Sequence, residues 1–512
     1  MIKNSVICDS LFDVSNQALS LYKCKLCSKE RKQLPGRGYS NLLNHLRADH
    51  PDYERQCDML RNGSRNDSIM NHIFVVEKVQ NTIDWMDWVL ELNLPWSFVD
   101  KDITRRLSKL KPISSDTLKT KMFKLQDNLI KNFAENLPTK FGLLFDGWSH
   151  ANIHYLATFA VFSLDDNFPK FPLLEFLPLK NEEDLSASSY NEAFNNIMLK
   201  YKRDPEDVLF LIGDNCATNI KASRDRQIPL IGCASHRLNL AVKLFLTEHN
   251  SVLEKLNLLM KKFKTIKGKA FLKNNGFLMA KSINQTRWSS TFKMIERYLD
   301  LINYENGLIF ALLGDNMSFL PLLLSPFENK EIKEIFVKLQ KMNSVCLYLQ
   351  KTDTSLSDVR ILFDKLVKEF PIMSSFLSAD AEIIKYPQFE SGIVKLQNQE
   401  EHLLNSEEKK CLDIFLNNDS NSLDTMFVSD TNDSDFAYNI LKQKKIRKND
   451  SLYRNVEYIV PSSNMVERLF SVSKDVITDK RKSLKTESID MIMFLKSNRQ
   501  LINRELLSES LK

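Results

Sequence analysis

The chain has 512 residues, of which 43% are hydrophobic and 27% are charged, and this balance excludes a wholly disordered protein. Its 71 Lys and Arg against 65 Asp and Glu leave a formal net charge of +6, too small a bias to indicate a partner by itself. The longest apolar runs fall far short of the ~18 residues that a membrane span needs, so a transmembrane protein is not expected.

Length alone favours about three domains. The eight cysteines are too few and too scattered for a disulfide framework. The first residues show neither the apolar core nor the cleavage site of a secretory signal, so a reducing, intracellular compartment is expected. In such a compartment, a close pair of cysteines predicts metal or redox chemistry.

The first predicted unit covers residues 10–60 and contains the close pair Cys24 and Cys27. A connection containing Gly and Pro follows, and then a predicted helix that ends in His45 and His50. Two thiols and two imidazoles at this spacing are the ligands of a tetrahedral zinc site, so structural Zn²⁺ is predicted. The alternative is that the cysteines are merely small core residues, but a segment this short has little apolar material to fold on without metal.

This predicted finger is basic, with seven Lys and Arg against one acidic residue between positions 23 and 47. A surface of this kind suits contact with DNA phosphates, although a solvated charged face is the alternative. The residues predicted to contact DNA here are Lys29, Arg31, Lys32 and Arg47.

Residues 62–67 are rich in Asn, Arg, Ser and Asp and predict a linker. Residues 68–138 then predict helices, since their apolar residues recur three and four positions apart. We interpret this second unit as a helical segment for DNA binding or dimerisation.

Strand patterns begin near residue 140. Five short apolar strands are predicted, at 141–145, 155–162, 171–177, 208–212 and 230–232. Helices are predicted after the third, fourth and fifth strands. This order predicts an antiparallel meander that crossover units extend into one sheet. It is the element order of an α/β ribonuclease H-like core, whose first part we assign to residues 139–250.

Between residues 251 and 440 helical spacing dominates, and an all-helical insertion domain is predicted. Positions 243–297 hold twelve Lys and Arg against three acidic residues, so this stretch also could face nucleic acid. Positions 413–435 hold six Asp and no Lys or Arg, which favours a linker or loop. The final segment, 441–512, predicts two helices and is expected to complete the core.

Two aspartates each follow a predicted strand, Asp146 the first and Asp214 the fourth. If those strands are neighbours in the sheet, the two carboxylates could share a pair of divalent metal ions, Mg²⁺ or Mn²⁺, for phosphodiester chemistry. The plain alternative is that each aspartate caps a helix or a turn. Glu467 could supply a third carboxylate, or it could form only a capping box with Asn464.

Two further pairs draw attention. Cys233 and His236 follow the fifth predicted strand, where structural packing or contact with DNA is more plausible than half of a zinc site. Arg287 and Trp288 lie within the basic stretch and join a guanidinium to a stacking surface that suits an unpaired base, although a Trp is more often a core residue.

In this order, the motifs resemble those of hAT-superfamily DNA transposases with an N-terminal BED-type zinc finger. The resemblance is carried by the Cys/His finger, Asp-Gly-Trp-Ser from Asp146, Asp-Asn from Asp214, Cys-x2-His from Cys233, Arg287-Trp288, and the segment from Pro461 to Ser471. The region from Arg481 to Asn498 is similar to the family's C-terminal dimerisation region. The resemblance covers most of the chain, but matches 250–440 only loosely.

The resemblance implies a nuclear cut-and-paste transposase that binds double-stranded DNA, at element ends and targets, and associates with itself as a dimer or higher oligomer. It implies that Asp146, Asp214 and Glu467 bind the divalent metal that supports DNA cleavage and strand transfer. It also implies that Trp288 stacks on a flipped base and that Cys233 and His236 lie near the active site. Two alternatives remain: a transposase-derived zinc-finger transcriptional regulator without transposition activity and, less favoured, a ribonuclease H-type nuclease.

Overall fold

The computed structural model describes residues 7–8, 11–16, 20–27, 29–33, 38–50, 53, 77–150, 152–163, 169–179, 184–284, 287–303, 319–417, 451–477, 484–501, 506–507 and 510. The predicted linker at 62–67 lies outside these residues, as does the acidic segment beyond position 417. The start of that segment is not a linker, because Asp413–Phe415 form a turn of 3-10 helix in which Phe415 is buried.

The secondary structure is mixed, with nine strands among the described residues. The strands are β1 (Phe12–Asn16), β2 (Leu21–Cys24), β3 (Glu30–Lys32), β4 (Phe141–His150), β5 (Ile153–Ser163), β6 (Pro169–Lys170), β7 (Leu173–Pro178), β8 (Val208–Gly213) and β9 (Leu230–Gly232).

The described helices outnumber the strands. They are α1 (Ser40–Asp49), α2 (Glu77–Glu91), α3 (Asp102–Leu107), α4 (Ser115–Asn136), α5 (Ala187–Lys200), α6 (Ala217–Arg226), α7 (Ala234–Thr247), α8 (Asn250–Phe263), α9 (Ile266–Asn274), α10 (Ser289–Ile302), α11 (Pro326–Leu349), α12 (Leu356–Glu369), α13 (Ser374–Leu377), α14 (Pro387–Gln397), α15 (Ser406–Leu412), α16 (Asn464–Val476) and α17 (Thr486–Ser497). None of these helices has the length and apolarity needed to cross a membrane.

The chain divides into two compact units. Unit 1 comprises Met1–Leu137 together with Val472–Lys512, and unit 2 comprises Pro138–Ser471. The division falls within α16, so Glu467 belongs to unit 2 with the sheet strands β4 to β9.

Unit 1 begins with a three-stranded antiparallel sheet in the order β1-β2-β3. Its strands were not expected, because they are short and β3 consists of Glu30, Arg31 and Lys32, which carry no apolar alternation. Helix α1, which contacts β3, was predicted and is confirmed. The predicted helices of 77–137 are also confirmed, and the buried Gln126 of α4 donates a 2.8 Å hydrogen bond to Asp490 of α17.

Unit 2 contains a six-stranded mixed sheet. Its order is β6-β5-β4-β8-β9, with β7 also paired to β5. Strands β4, β5 and β7 form an antiparallel meander. Strand β8 pairs in parallel with β4, and β9 pairs in parallel with β8. The connections carry helices, α5 between β7 and β8 and α6 between β8 and β9, as parallel pairing requires. All five predicted strands are confirmed, although β4 runs beyond its predicted end.

The central pair β4 and β8 meets too closely for a side chain at one position. Gly142 faces Phe210 across the parallel ladder, and a Cβ built on Gly142 would lie 2.2 Å from the Phe210 ring. Phe210 is fully buried and has the rings of Phe415 and Tyr458 about it, at centroid distances of 6.3 and 6.0 Å. A glycine is therefore needed here for packing.

We expect Gly142→Ala to destabilise unit 2 by about 1–3 kcal/mol, because the ring of Phe210 must leave its packed position. Scanning calorimetry would show this as a lower melting temperature. Gly213→Ala is a matched control, since its Cβ would meet its nearest neighbour, Phe145, at 3.2 Å, and the expected loss is smaller. Equal melting of Gly142→Ala and the parent would contradict the packing argument.

The region after β9 is helical as predicted, within the described residues. Helices α7 to α13 bury one continuous apolar cluster that extends from Ala234 to Leu377. The cluster includes Trp288 and stacked aromatic pairs such as Phe263 and Phe319, whose centroids are 4.9 Å apart.

Candidate functional site

Four side chains near the N-terminus form a compact donor cluster. Cys24 ends β2, Cys27 lies in the turn after it, His45 is on α1, and His50 directly follows α1. Cys24 Sγ lies 3.6 Å from His50 Nε2, and Cys27 Sγ lies 3.3 Å from His45 Nε2. One donor atom from each residue lies within 4.8 Å of all the others. This arrangement could bind zinc, as the spacing predicted.

The surroundings of the cluster suit a bound cation. Burial and the positive charge of Arg31 lower the pKa of His45, so its imidazole is neutral at pH 7 and can offer Nε2 as a ligand. On the other side of the ring, His45 Nδ1 lies 3.1 Å from Oδ2 of Asp49. Burial raises the pKa of the Cys24 thiol, so a metal ion must displace its proton.

The basic residues predicted to contact DNA are not all equally available. Lys29 Nζ donates a 3.0 Å hydrogen bond to Asp49, and an Arg31 nitrogen lies 3.9 Å from the same carboxylate. The Lys29 bond is the main reason that the pKa of Asp49 is lowered. Lys32 and Arg47 are exposed, and no ion pair involves them within the described residues. Asp49 therefore neutralises part of the positive charge that the sequence predicted for contact with DNA phosphates.

The sheet of unit 2 brings Asp146 and Asp214 to neighbouring positions. The parallel register pairs Leu144 with Ile212, and each aspartate lies two residues further along its chain. Asp214 directly follows β8, as predicted. Asp146 does not end its strand, however, because β4 continues to His150 and Asp146 pairs with Ala157 of β5. The ladder between β4 and β8 ends before Asp146, whereas the hairpin of β4 with β5 continues to His150.

The two carboxylates differ in their contacts. Asp214 Oδ1 accepts hydrogen bonds from Asn219 Nδ2 at 2.6 Å and from the backbone N–H of Cys216 at 3.3 Å. Asp146 Oδ1 accepts one hydrogen bond, from the N–H of Gly147 at 2.8 Å. Asp214 therefore also serves as the turn-forming residue that the plain alternative anticipated.

Burial raises the pKa of Asp146 to about 7, with smaller contributions in the same direction from the charges of Asp214 and Glu467. The N–H of Gly147 and the guanidinium of Arg287 act in the opposite direction. Asp146 is thus close enough to both Asp214 and Glu467 to feel their negative charges.

Glu467 does not form the capping box considered for it. Helix α16 begins at Asn464, whose side chain donates a 2.7 Å hydrogen bond to the carbonyl of Leu349. The carboxylate of Glu467 is instead paired with Arg287, at 2.8 Å from a guanidinium nitrogen. This pair joins the segment before α10 to α16.

The segment before α16 is held against the residues that follow β9. The N–H of Ala234 donates to the carbonyl of Pro461 at 2.8 Å, and the N–H of Ser463 approaches Cys233 Sγ at 3.4 Å. Cys233 N–H in turn donates to the Gly213 carbonyl at 2.7 Å, directly before Asp214. Cys233 is buried and its pKa is raised mainly by that burial, so its role here is packing between the two segments. His236 is partly buried on α7.

The three carboxylates are not arranged as a ready metal site. Among the described residues, the Cys/His cluster is the one group of three or more His, Cys, Asp or Glu side chains close enough to hold an ion. Carboxylates are the ligand type that Mg²⁺ and Mn²⁺ prefer, so the donor chemistry fits such a cation. To form a metal site with the two aspartates, Glu467 must break its ion pair with Arg287 and bind the cation instead.

Trp288 lies in the core in this structure. Its side chain is 4% exposed, and its ring is 6.2 Å from that of Phe292. Its backbone N–H donates to Asn239 Oδ1 at 3.2 Å. Trp288 is therefore a core residue in this structure, as the alternative interpretation held. Stacking on a base requires the indole to leave this position. Arg287, in contrast, is exposed.

Two polar groups of unit 2 were missed by sequence reasoning. His154 Nδ1 is 2.9 Å from Ser149 Oγ and its Nε2 is 3.0 Å from the Tyr190 hydroxyl, so the three form a hydrogen-bonded row. A Cβ on Gly147 would lie 2.5 Å from His154 Nε2, which explains the glycine beside Asp146. The charges of Asp146 and Asp214 help to raise the pKa of Tyr190, although burial is the main cause.

The second missed group is a buried ion pair. Arg237 of α7 lies 3.3 Å from a carboxylate oxygen of Glu390 on α14, and its guanidinium also donates to the carbonyls of Phe376, Leu377 and Ser378. Glu390 accepts the N–H of Gly232 at the end of β9 as well. No local sequence signal marks this pair, since its members are separated by 153 positions.

No family model matches the chain, and no match is found among curated proteins. A functional assignment must therefore come from the residues and the geometry of these two sites.

Proposed function

We propose that the chain is a zinc-finger DNA transposase of the hAT type. The observation that carries the proposal is the placement of Asp146 and Asp214 on neighbouring parallel strands, with Glu467 close enough to add its charge. Clustered carboxylates of this kind are what metal-dependent phosphodiester cleavage and strand transfer use. The motif resemblance supplies the reaction type.

The strand order supports the same proposal. A ribonuclease H-like core has a three-stranded antiparallel meander whose first strand pairs in parallel with the fourth, followed by the fifth. The order β7-β5-β4-β8-β9, with α5 and α6 in the crossovers, is compatible with that description. The helices between α7 and α15 would then be an insertion before the segment that carries Glu467.

In the proposed reaction, Asp146, Asp214 and Glu467 would hold Mg²⁺ or Mn²⁺, which when bound would activate the attacking hydroxyl and stabilise the leaving oxygen. Asp146 must give up the proton that its burial retains. Glu467 must turn from Arg287, and the released guanidinium would be free to contact a DNA phosphate. Asn219 would hold Asp214 in place through its 2.6 Å hydrogen bond.

The other parts of the proposal concern DNA and self-association. A zinc-loaded finger would present Lys32 and Arg47, with Lys29 and Arg31 shared with Asp49, to double-stranded DNA. Dimerisation and nuclear localisation are proposed from the motif resemblance alone. The base-stacking role proposed for Trp288 needs the buried indole to become exposed when DNA binds.

A cleavage assay tests the proposal. The purified chain is incubated with a duplex oligonucleotide that carries the terminal repeat flanking its own gene, with Mg²⁺, with Mn²⁺ or with neither. We expect strand cleavage at the repeat end only when one of these cations is added. Sequence-specific binding without any cleavage would overturn the transposase assignment.

That second outcome would favour a DNA-binding transcriptional regulator derived from a transposase. One observation favours this alternative: within the described residues the three carboxylates do not form a group close enough to hold an ion, and Glu467 is paired with Arg287. Such a protein would bind DNA through its finger and would leave the acidic site unused.

The acidic site should bind divalent cations in a pH-dependent manner. The pKa of Asp146 is raised to about 7, so the carboxyl group is mostly protonated at pH 6 and mostly ionised at pH 8. Since a cation competes with that proton, we expect the affinity for Mn²⁺ to rise about tenfold between these two pH values. Isothermal titration of the zinc-loaded chain would measure it. In Asp146→Asn, which has no proton to lose, this dependence should disappear. An equally steep dependence in that variant would place the titrating group elsewhere.

A further inference from the structure

A dense group of exposed lysines surrounds the junction of α8 and α9, at a distance in sequence from the finger. We define the lysine elbow as Lys261, Lys262, Lys264, Lys267, Lys269 and Lys273, all of which are exposed. The sequence has no Asp or Glu between Glu254 and Glu296. No ion pair to any elbow lysine is formed within the described part of the chain, where other lysines of unit 2, such as Lys255 and Lys395, are paired with glutamates.

The fold keeps these charges together through a tight turn between the two helices. A Cβ on Gly268 would lie 2.4 Å from the carbonyl oxygen of Lys262 and 2.6 Å from Cα of Phe263, so the start of α9 packs directly on the end of α8. The rings of Phe263 and Phe271 stack beneath the junction with centroids 6.2 Å apart. The lysines at the end of α8 and at the start of α9 are therefore brought close together, and among the described residues no carboxylate pairs with them.

The helix start adds to this positive field. Thr265 caps α9 by accepting the N–H of Gly268 at 3.2 Å, and the positive end of the helix dipole lies among the lysines. Two elbow lysines contact other side chains, but neither partner carries a negative charge. Lys264 donates a hydrogen bond to Ser282, and Lys262 lies 6.0 Å from the Phe319 ring. A closely spaced row of anions would neutralise such a surface.

We propose that the lysine elbow is a second DNA-binding surface, which contacts the phosphate backbone of duplex DNA without reading its sequence. The choice of DNA as the partner rests on the proposed function. The elbow would contact DNA in addition to the contacts made by the finger. A membrane surface fits less well, because the apolar side chains of α9, Phe271 and Leu272, are buried in the protein core, and Ile266 is the large apolar residue that the elbow exposes.

The test compares two triple variants of the zinc-loaded full chain. The elbow variant carries Lys261→Gln, Lys267→Gln and Lys269→Gln, and the control carries Lys333→Gln, Lys365→Gln and Lys368→Gln. Each removes three positive charges from exposed helix positions in unit 2, but the control lysines alternate with acidic residues. Binding to a fluorescent duplex of arbitrary sequence is measured by anisotropy over a series of KCl concentrations, without Mg²⁺ or Mn²⁺ so that no cleavage interferes.

For the elbow variant we expect weaker binding and a slope of log affinity against log salt that is smaller by about 1 to 3, because each lost phosphate contact removes roughly one from the slope. The control should retain the parent's slope. Triple replacement of the same three elbow lysines by Arg should keep most of the affinity. An elbow variant with the parent's slope and affinity would overturn the proposal.

Two further outcomes separate this proposal from its alternatives and from the proposed function. If vesicles that contain phosphatidylserine bind the parent but not the elbow variant, while DNA binding is equal in both, the surface belongs to a membrane. If the elbow variant loses duplex affinity although the parent cleaves no element end, the DNA surface stands and the transposase assignment fails. If the parent cleaves the element end and the elbow variant keeps the parent's slope and affinity, the transposase assignment stands and the elbow proposal fails.

Discussion

Asp146→Asn should abolish metal-dependent strand cleavage while DNA binding survives. The substitution keeps the size of the side chain but removes the negative charge that would hold a divalent cation beside Asp214. We expect cleavage to fall by at least about 1,000-fold, since metal-assisted stabilisation of charge in a transition state is worth several kcal/mol. The measurement is the rate of strand cleavage on the element-end duplex, with affinity for the same duplex recorded by anisotropy in parallel.

Stability distinguishes this loss from misfolding. Burial raises the pKa of Asp146 in the folded chain to about 7, well above the ordinary value of an aspartate. The protonated form is therefore the favoured one in the fold, and its stabilising contribution is present at low pH and lost as the pH rises towards 7. Asparagine resembles the protonated form. We therefore expect the variant to melt at the same temperature as the parent or higher at pH 8.

Asp225→Asn provides the matched control. Asp225 lies exposed on α6 of the same unit and pairs with Lys221 at 3.0 Å, a contact of small energetic weight. This variant should cleave and melt like the parent. Unchanged cleavage by Asp146→Asn would remove Asp146 from the site, and with it the argument from the sheet register.

The sheet of unit 2 illustrates what a sequence reveals well. Buried strands such as β8, Val208–Gly213, are runs of apolar residues that polar turns bound, so their existence and order follow from local pattern. Handedness and connection rules leave few arrangements once the crossover helices are placed. The adjacency of β4 and β8 was a condition of the two-aspartate hypothesis, and the sheet contains it. The end of β4 was not predicted, because its extension beyond Phe145 depends on the hairpin with β5 and includes polar residues.

The carboxylate site contains contacts that local sequence patterns do and do not predict. Asp146 and Asp214 could be predicted as neighbours because strands position them. The partner of Glu467 could not, since Arg287 is 180 positions away by their residue numbers and the pair forms only when α16 and the segment before α10 meet. The aromatic character of Trp288 is compatible with base stacking, although a core position is the more usual one for a Trp, and the packing around α10 places its ring in the core.

The Cys/His cluster is the opposite case, since metal geometry is encoded by residue type and spacing. A thiol pair two residues apart and two histidines on one helix end can meet in few ways other than around an ion. What the spacing did not reveal is Asp49, which lies 3.1 Å from His45 and also holds Lys29. Asp49 lies just beyond the basic stretch counted at positions 23–47, but it contacts a ligand histidine and reduces the free charge of the finger.

Cys24→Ser should unfold the finger and release its zinc. The apolar core of this region consists of few buried residues, among them Leu11, Leu42 and Leu46, which is too little to fold a segment of this size alone. In zinc-finger peptides, metal binding supplies about 10–16 kcal/mol of apparent folding free energy at pH 7. A serine hydroxyl is a poor zinc ligand, and Cys24 is buried at the centre of the cluster.

We expect the zinc affinity of Cys24→Ser to fall by more than about 100-fold, beyond the loss that removal of a mere outer-shell partner causes. Metal analysis after dialysis would give less than one equivalent of zinc, and limited proteolysis would cut between β2 and α1. Affinity for the element end should fall, whereas unit 2, which contains none of the four ligands, should keep its melting transition.

Cys411→Ser controls for the loss of a thiol, because Cys411 is exposed on α15 and far in sequence from the cluster. It should keep full zinc occupancy and DNA affinity. If Cys24→Ser retained one equivalent of zinc and resisted protease as the parent does, the four side chains would be a packing cluster, and DNA recognition would have to be sought on other surfaces, with the lysine elbow first among them.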